Sequence, residues 1–327
     1  MNLIKTFDSL SVPDDFDSRS FYSITIPNYA NCRIAKNSEG HPILLLSVKN
    51  PIERVTTKNF RFKYLEIRQN VECKIIEDNS VIFRNFTVIY FNSSDQSLQE
   101  YFLRISEALI RSITEKPTQR DLIDSISRFV EIFRALSDAP TKTIQGLWSE
   151  LFIISVAKKP EHLISYWHNN PEEKFDFNAG LEKLEIKSNA NLERIHFFSA
   201  EQLNPPNDSE VLIASIFVKK SSSGINIQGI IDRIAAKINS EIDLINKLNI
   251  VVGKTLGSLI QESADVRFDY ELACESLRFY SHHEVSKIET IHIPSKVSEV
   301  CFRSDLSSCK ITDLSDLKEK RTLFSAL

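Results

Sequence analysis

The sequence predicts a mixed α/β (α+β) protein with a β-rich N-terminal domain, an α/β core and a mixed C-terminal part. Three observations predict it. Alternating and short apolar runs fill Phe21 to Phe91, the apolar spacing lengthens to three and four residues from Leu98, and helical and strand patterns alternate after Thr143. The 327 residues suffice for two or three domains, and the balance of 26% charged to 42% hydrophobic residues excludes wholesale disorder.

Tyr22-Ser23-Ile24-Thr25-Ile26 alternates, Ile43 to Val48 is a short apolar run, and Val81 to Phe91 is rich in β-branched and aromatic residues, so each reads as a strand. Asn37-Ser38-Glu39-Gly40 and Asp78-Asn79-Ser80 supply turns between them. An antiparallel domain over residues 1–95 is expected, ending near Asn92-Ser93-Ser94-Asp95. Leu98, Tyr101, Phe102, Ile105, Leu109 and Ile113 then share one helix face. Pro117 and Thr118 separate it from a second amphipathic helix, Asp121 to Leu136, striped by Leu122, Ile123, Ile126, Phe129, Val130 and Phe133. These helices make residues 96–139 a helical connector.

A break at Ser137-Asp138-Ala139-Pro140 opens the core, residues 140–240. Its first helix runs from Thr143 to Ala157, burying Leu147, Leu151 and Ile154 with Trp148 beside them and Glu150 at the edge of the stripe. Asn178-Ala179-Gly180 joins two strands as a hairpin. Val211 to Val218 reads as a strand covered on both faces, Ser221-Ser222-Ser223-Gly224 as a turn, and Ile230, Ile231, Ile234, Ala235 and Ile238 as a helix, with the core ending near Ser240. Residues 241–327 mix a helix, Ile242 to Leu248, with strands at Arg267 to Leu272, Leu277 to Tyr280, Ile288 to Ile293 and Glu299 to Phe302. The charged run from Asp313 to Arg321 is expected to be a solvated helix face.

A net charge of −4 and a pI near 6.0 exclude a protein that coats nucleic acid through overall charge, while leaving a local basic groove open. The first seventeen residues, MNLIKTFDSLSVPDDFD, contain no long apolar stretch, and no window approaches ~18 apolar residues, so neither a leader nor a membrane span is expected and a cytoplasmic location is. Cys32, Cys73, Cys274, Cys301 and Cys309 are odd in number, scattered and without a CxxC pair, which favours reduced, mostly core thiols over disulfides or zinc. Gly253-Lys254-Thr255 is not a P-loop, because Leu248 stands where that loop needs glycine. His282-His283 with His292 lacks the acid or cysteine spacing of a metal site.

The chemistry concentrates between Glu150 and Gln202. Strand alternation puts Glu185 and Lys187 of Leu184-Glu185-Ile186-Lys187 on one face, with Leu184 and Ile186 toward the core. The hairpin brings Asp176, between Phe175 and Phe177, close to Glu185. Adjacent carboxylates repel unless a cation sits between them, and oxygen ligands favour a hard ion such as Mg²⁺. A neighbouring lysine can orient or deprotonate the attacking water and offset phosphate charge, a set suited to phosphodiester cleavage. The Glu-x-Lys spacing alone decides nothing, since Glu72-Cys73-Lys74 repeats it. Only Glu185 has Asp176 upstream and Glu150 on a preceding apolar helix. An ordinary surface salt-bridge cluster is the competing reading of Asp176, Glu185 and Lys187.

The segments GLWSEL from Gly146, Phe175-Asp176-Phe177, LEIKS from Leu184 and RIHFFSAEQL from Arg194 resemble the PD-(D/E)XK nuclease superfamily. More narrowly, they resemble its uncharacterised bacterial branch, a domain-of-unknown-function family associated with phage-defence and restriction gene clusters. The resemblance implies a restriction-endonuclease-like core, a central mixed sheet flanked by helices. It implies Asp176 and Glu185 as Mg²⁺ ligands helped by the backbone carbonyl of Ile186, with Mn²⁺ as a substitute, Lys187 as catalytic lysine and Glu150 as an accessory acid. Gln202 becomes a polar residue on the following helix, and Arg194 and His196 become phosphate contacts. Phe175 stands where the superfamily has proline.

The implied activity is Mg²⁺-dependent hydrolysis of DNA in bacterial defence, with DNA, defence proteins and a second copy of the chain as partners. The alternative is a catalytically silent nuclease-fold subunit that binds DNA or acts as a scaffold. Glu150 also reads as a structural acid, Arg194 as a partner of Glu193, and His196 as a satisfied histidine.

Overall fold

The computed structural model describes residues 2–13, 21–48, 59–77, 80–113, 118–136, 138–169, 173–206, 209–238, 241–317 and 322–327. Asp78-Asn79, Pro117, Ser137, Ser240 and residues 318–321, which carried expectations above, lie outside them. The chain divides into two units, Met1–Asp138 and Ala139–Leu327.

In the first unit, α1 (Leu3–Asp8) precedes β1 (Tyr22–Ile26), β2 (Tyr29–Lys36), β3 (Pro42–Leu46), β4 (Phe60–Arg61), β5 (Leu65–Glu77) and β6 (Ser80–Phe91). They form one antiparallel sheet in the order β1-β2-β3-β6-β5-β4. The turn between β2 and β3 is the expected one: Gly40 takes φ 78°, and the Asn37 side chain accepts the N–H groups of Glu39 and His41. Two helices follow, α2 (Gln96–Ser112) and α3 (Gln119–Ala135), the latter opened by a reciprocal Thr118–Asp121 capping box. The α2 stripe is buried along its length. On α3, Ile123 and Val130 are only half-buried, and Ile132 is buried instead. Phe91 of β6 stacks on Phe102, whose ring meets Phe129 edge-on, at centroid distances of 4.8 and 5.8 Å. Both helices belong to this unit.

The second unit begins with α4 (Ile144–Val156), which is apolar on nearly every side and packs on β8 and α7 defined below. Next come α5 (Pro160–Tyr166), β7 (Phe177–Ala179), β8 (Glu182–Asn189), β9 (Ile195–Ser199), α6 (Ala200–Leu203), β10 (Glu210–Phe217), β11 (Lys220–Ile225) and α7 (Ile227–Lys237). The remainder holds α8 (Ile242–Leu256), α9 (Ile260–Asp265), α10 (Tyr270–Ser276), β12 (Arg278–Ser281) and β13 (Cys301–Asp305). The central sheet runs β12-β10-β8-β7 and is mixed, with β8 parallel to β10 and the outer pairs antiparallel. In the parallel register Glu185 lies beside Ile213 and Lys187 beside Ser215, so these four side chains share a sheet face. Phe198, Leu203, Ile213, Tyr280, Val285 and Leu306 form a core on that face, under the β9–β13 ribbon. At its start β8 is pinned by a distant segment: the buried Glu182 carboxylate accepts the N–H groups of Leu323 and Phe324 at 2.9 and 2.8 Å.

Several expectations fail for local reasons. Ser221–Gly224 is not a turn but part of β11. It lies so close to another backbone that a Cβ on Gly224 would sit 2.2 Å from the Phe268 carbonyl oxygen. Arg267 to Leu272 is not a strand: Phe268 makes isolated bridges, and Asp269 then caps α10 by accepting the Leu272 N–H at 3.0 Å. Thr290–His292 is a 3-10 turn rather than strand, with Ile291 88% exposed. The helix from Ile242 continues through Gly253-Lys254-Thr255 to Leu256. Leu314–Asp316 is a short 3-10 turn in the charged run expected to be a helix face. All five cysteines are free, but Cys32 alone is buried, so the expectation of mostly core thiols is corrected: Cys274 and Cys301 are exposed. Among the described residues no helix is long and apolar enough to cross a membrane.

Candidate active site

The hairpin of β7 and β8 builds the site. Phe177 pairs with Leu184, so Asp176 enters β7 opposite Glu185, and its Oδ2 accepts the Ile186 N–H at 2.8 Å. Glu185 is 5% exposed, and its Oε1 receives Lys187 Nζ at 2.7 Å and Gln202 Nε2 at 2.8 Å. Lys187 Nζ also donates to Gln202 Oε1 at 3.2 Å. Gln202 is held in turn by the α6 capping box with Ser199 and by donating to the Lys174 carbonyl. Glu185 Oε2 is buried and has no hydrogen-bond partner among the described residues. A buried carboxylate oxygen left unpaired is costly, and such atoms concentrate where a ligand is received.

A second group adjoins the first. Glu150 projects from α4, and its Oε2 accepts Trp167 Nε1 at 2.7 Å and lies 2.9 Å from His168 Nε2. Lys142, just before the α4 cap Thr143, reaches Glu150 Oε1 and Asp176 Oδ1 at 2.6 Å each and lies 3.4 Å from His168 Nε2. Glu150, His168 and Asp176 each offer a ligand atom within 4.8 Å of the others. Sequence reasoning missed Lys142, Trp167 and His168. The available signal was the Trp-His pair shortly before Phe175-Asp176-Phe177, where the His168 N–H donates to the Asp176 carbonyl at 3.1 Å.

Residues 3–307 match a family model described as "Putative PD-(D/E)XK family member, (DUF4420)". The chain belongs to this family. No curated protein and no solved structure matches it. The mixed sheet with its helices is consistent with a PD-(D/E)XK fold, and the match spans both units.

In this PD-(D/E)XK protein the acids are held in different electrostatic states. Burial pushes the Glu185 carboxyl up, the Asp176 charge adds to it, and the group reaches about 7 despite Lys187. Asp176 is also raised, by burial and then by Glu150, with Lys142 opposing. Burial acts the same way on Glu150, but the His168 hydrogen bond and the Lys142 charge outweigh it and leave that acid below its ordinary value. Burial disfavours the Lys142 ammonium, yet Asp176 and Glu150 together raise its pKa.

Arg194 and His196 are engaged elsewhere. The Arg194 guanidinium donates to the Ser215 carbonyl, to Ser215 Oγ and to the Ser276 carbonyl, and lies over the Phe217 ring. His196 is buried with Nε2 2.8 Å from Ser215 Oγ, and burial, then Lys187 and Arg194, lower its pKa to about 4. Both side chains brace β9 against β10, whereas Asp176, Glu185, Lys187, Gln202 and Glu150 converge.

Proposed function

We propose that this PD-(D/E)XK protein is a metal-dependent nuclease that hydrolyses phosphodiester bonds of DNA in bacterial defence or restriction. The observation that carries the reading is the unpartnered, buried Glu185 Oε2 beside Asp176, with Lys187 in contact with the same carboxylate. The residues fit a hard divalent ion. Asp176 and Glu185 would hold Mg²⁺ or Mn²⁺ through oxygen, with the Ile186 carbonyl, which leaves β8 on the same edge as the N–H donated to Asp176. Such an ion, when bound, activates water and polarises the scissile phosphate.

The chain's own residues supply the rest. Lys187 carries a positive charge at the edge of the cluster, where it offsets charge developing on phosphate. Gln202 fixes that ammonium by accepting from it while donating to Glu185. Glu150, anchored by Trp167 and His168, stabilises the neighbouring Lys142 and belongs to the supporting shell. The same reading expects a cytoplasmic protein that meets DNA and proteins of a defence complex, and a dimer for double-strand cleavage.

A second reading is favoured by one observation. Lys142 already neutralises Glu150 and Asp176, as in a nuclease fold that has become a DNA-binding or scaffolding subunit. Incubation of the purified protein with plasmid and linear DNA in Mg²⁺, Mn²⁺ or EDTA separates the two. Metal-dependent cleavage lost in Asp176→Ala, Glu185→Ala and Lys187→Ala supports the nuclease. Retention of DNA without cleavage in any metal supports the silent subunit.

A further inference from the structure

We infer that Lys142 is a resident counter-cation competing with the divalent metal for Asp176, so that metal loading requires its ammonium to swing away. The inference rests on the nuclease reading above. Asp176 Oδ2 accepts the Ile186 N–H, and Oδ1 forms a 2.6 Å ion pair with Lys142. A divalent ion held by Asp176 together with Glu185 Oε2 meets like-charge repulsion from the ammonium on Oδ1, relieved either by withdrawal of Lys142 or by a turn of Asp176 that breaks the backbone contact positioning it. The first is the easier path, because Lys142 contributes only the end of a flexible side chain.

The surroundings are built for that exchange. The Lys142 backbone is fixed on both sides: the Thr141 N–H donates to the Thr255 carbonyl, and Thr143 Oγ1 accepts the Gly146 N–H. Its side chain is 22% exposed, so the ammonium has a route to water while the segment stays in place. Glu150 does not follow, because Trp167 and His168 hold its other oxygen. The charge count agrees. With all carboxylates ionised and the His168 ring neutral, Glu150, Asp176 and Glu185 against Lys142 and Lys187 leave one net negative charge. Withdrawal of Lys142 leaves two, which a divalent ion neutralises.

The test uses the full-length protein and Mn²⁺. Lysine acetylation read by mass spectrometry reports on wild type directly: Lys142 is expected to label faster when Mn²⁺ saturates the site. Calorimetric titration of Lys142→Met and Lys142→Gln is expected to give Mn²⁺ binding about tenfold tighter or more than wild type, because a unit charge has left the ligands. Labelling that is unchanged or slowed by Mn²⁺ overturns the inference, as does equal or weaker Mn²⁺ binding by a folded variant. If neither variant folds, wild-type labelling decides alone. Mn²⁺ binding by wild type and variants with equal affinity ends the competition but spares the metal site. Absence of Mn²⁺ binding in all of them ends both.

Discussion

The Glu-x-Lys spacing stands on two strands of the molecule, β5 and β8, with opposite fates. Glu72 and Lys74 lie on β5 across from Asn85 and Phe83, and both acid and lysine are exposed. Glu185 and Lys187 lie on β8, an interior strand of a mixed sheet, where the acid is buried, the short helix α6 brings it Gln202 and the β7 hairpin brings it Asp176. Water solvates the first pair, and no unusual chemistry is asked of it. Desolvation makes the second pair interact strongly and leaves one carboxylate oxygen unpaired. Chemistry comes from what covers the strand, while the spacing only sets which side chains share a face.

Four measurements test this contrast. The largest effect is on catalysis: Asp176→Ala, Glu185→Ala or Lys187→Ala is expected to lower Mg²⁺-dependent DNA cleavage by about 10³-fold or more. Glu72→Ala and Lys74→Ala should leave it unchanged, and equal losses in both sets would break the contrast. Next, Gln202→Leu removes a donor from buried Glu185 and an acceptor from Lys187. Urea unfolding is expected to show a loss of about 1–3 kcal/mol, and no loss would mean that the amide is dispensable to the burial.

The covered face also has a pH signature. His196 titrates near 6.5 when unfolded and about 4 in the fold. Between these values the unfolded chain binds a proton that the folded chain does not, so this contribution is present above pH 6.5 and is lost as pH falls toward 4. Between pH 7 and 5 wild type should lose up to about 2 kcal/mol that His196→Gln keeps. Parallel urea curves for the two proteins at both pH values would refute it. The smallest effect belongs to β5: Glu72→Ala and Lys74→Ala should shift stability by no more than about 0.5 kcal/mol, and a larger shift would mean that this copy has partners too.

Alternation was enough to read the shared face of Glu185 and Lys187, and Gly180 was enough to read the hairpin, because both signals are local, although Asn178 and Ala179 of the expected turn are paired residues of β7. Lys142 left no such trace. Its ion pair with Asp176 spans 34 positions, and Lys142 lies before the α4 cap Thr143, outside the helix whose period places Glu150. Arg194 was legible as a cation but not in its destination, since Ser276 lies 82 residues away. Ser221–Gly224 misled through composition: a serine-glycine run resembles a turn until the Phe268 backbone lies beside it. The antiparallel character of the first sheet was legible from its runs and turns, but the return of β6 to lie between β3 and β5 was not, because strand order is settled by packing.

The contact between Glu182 and the N–H groups of Leu323 and Phe324 bears on when the site comes into being. Ribosomes deliver residues in order, at roughly 5–20 per second. The strand bearing Glu185 and Lys187 thus emerges well before its anchor, some 140 residues later. Until then the Glu182 carboxylate has no such donors, and the first residue of β8 has no reason to bury it. A half-made chain therefore holds the strand of Glu185 and Lys187 without its finished frame.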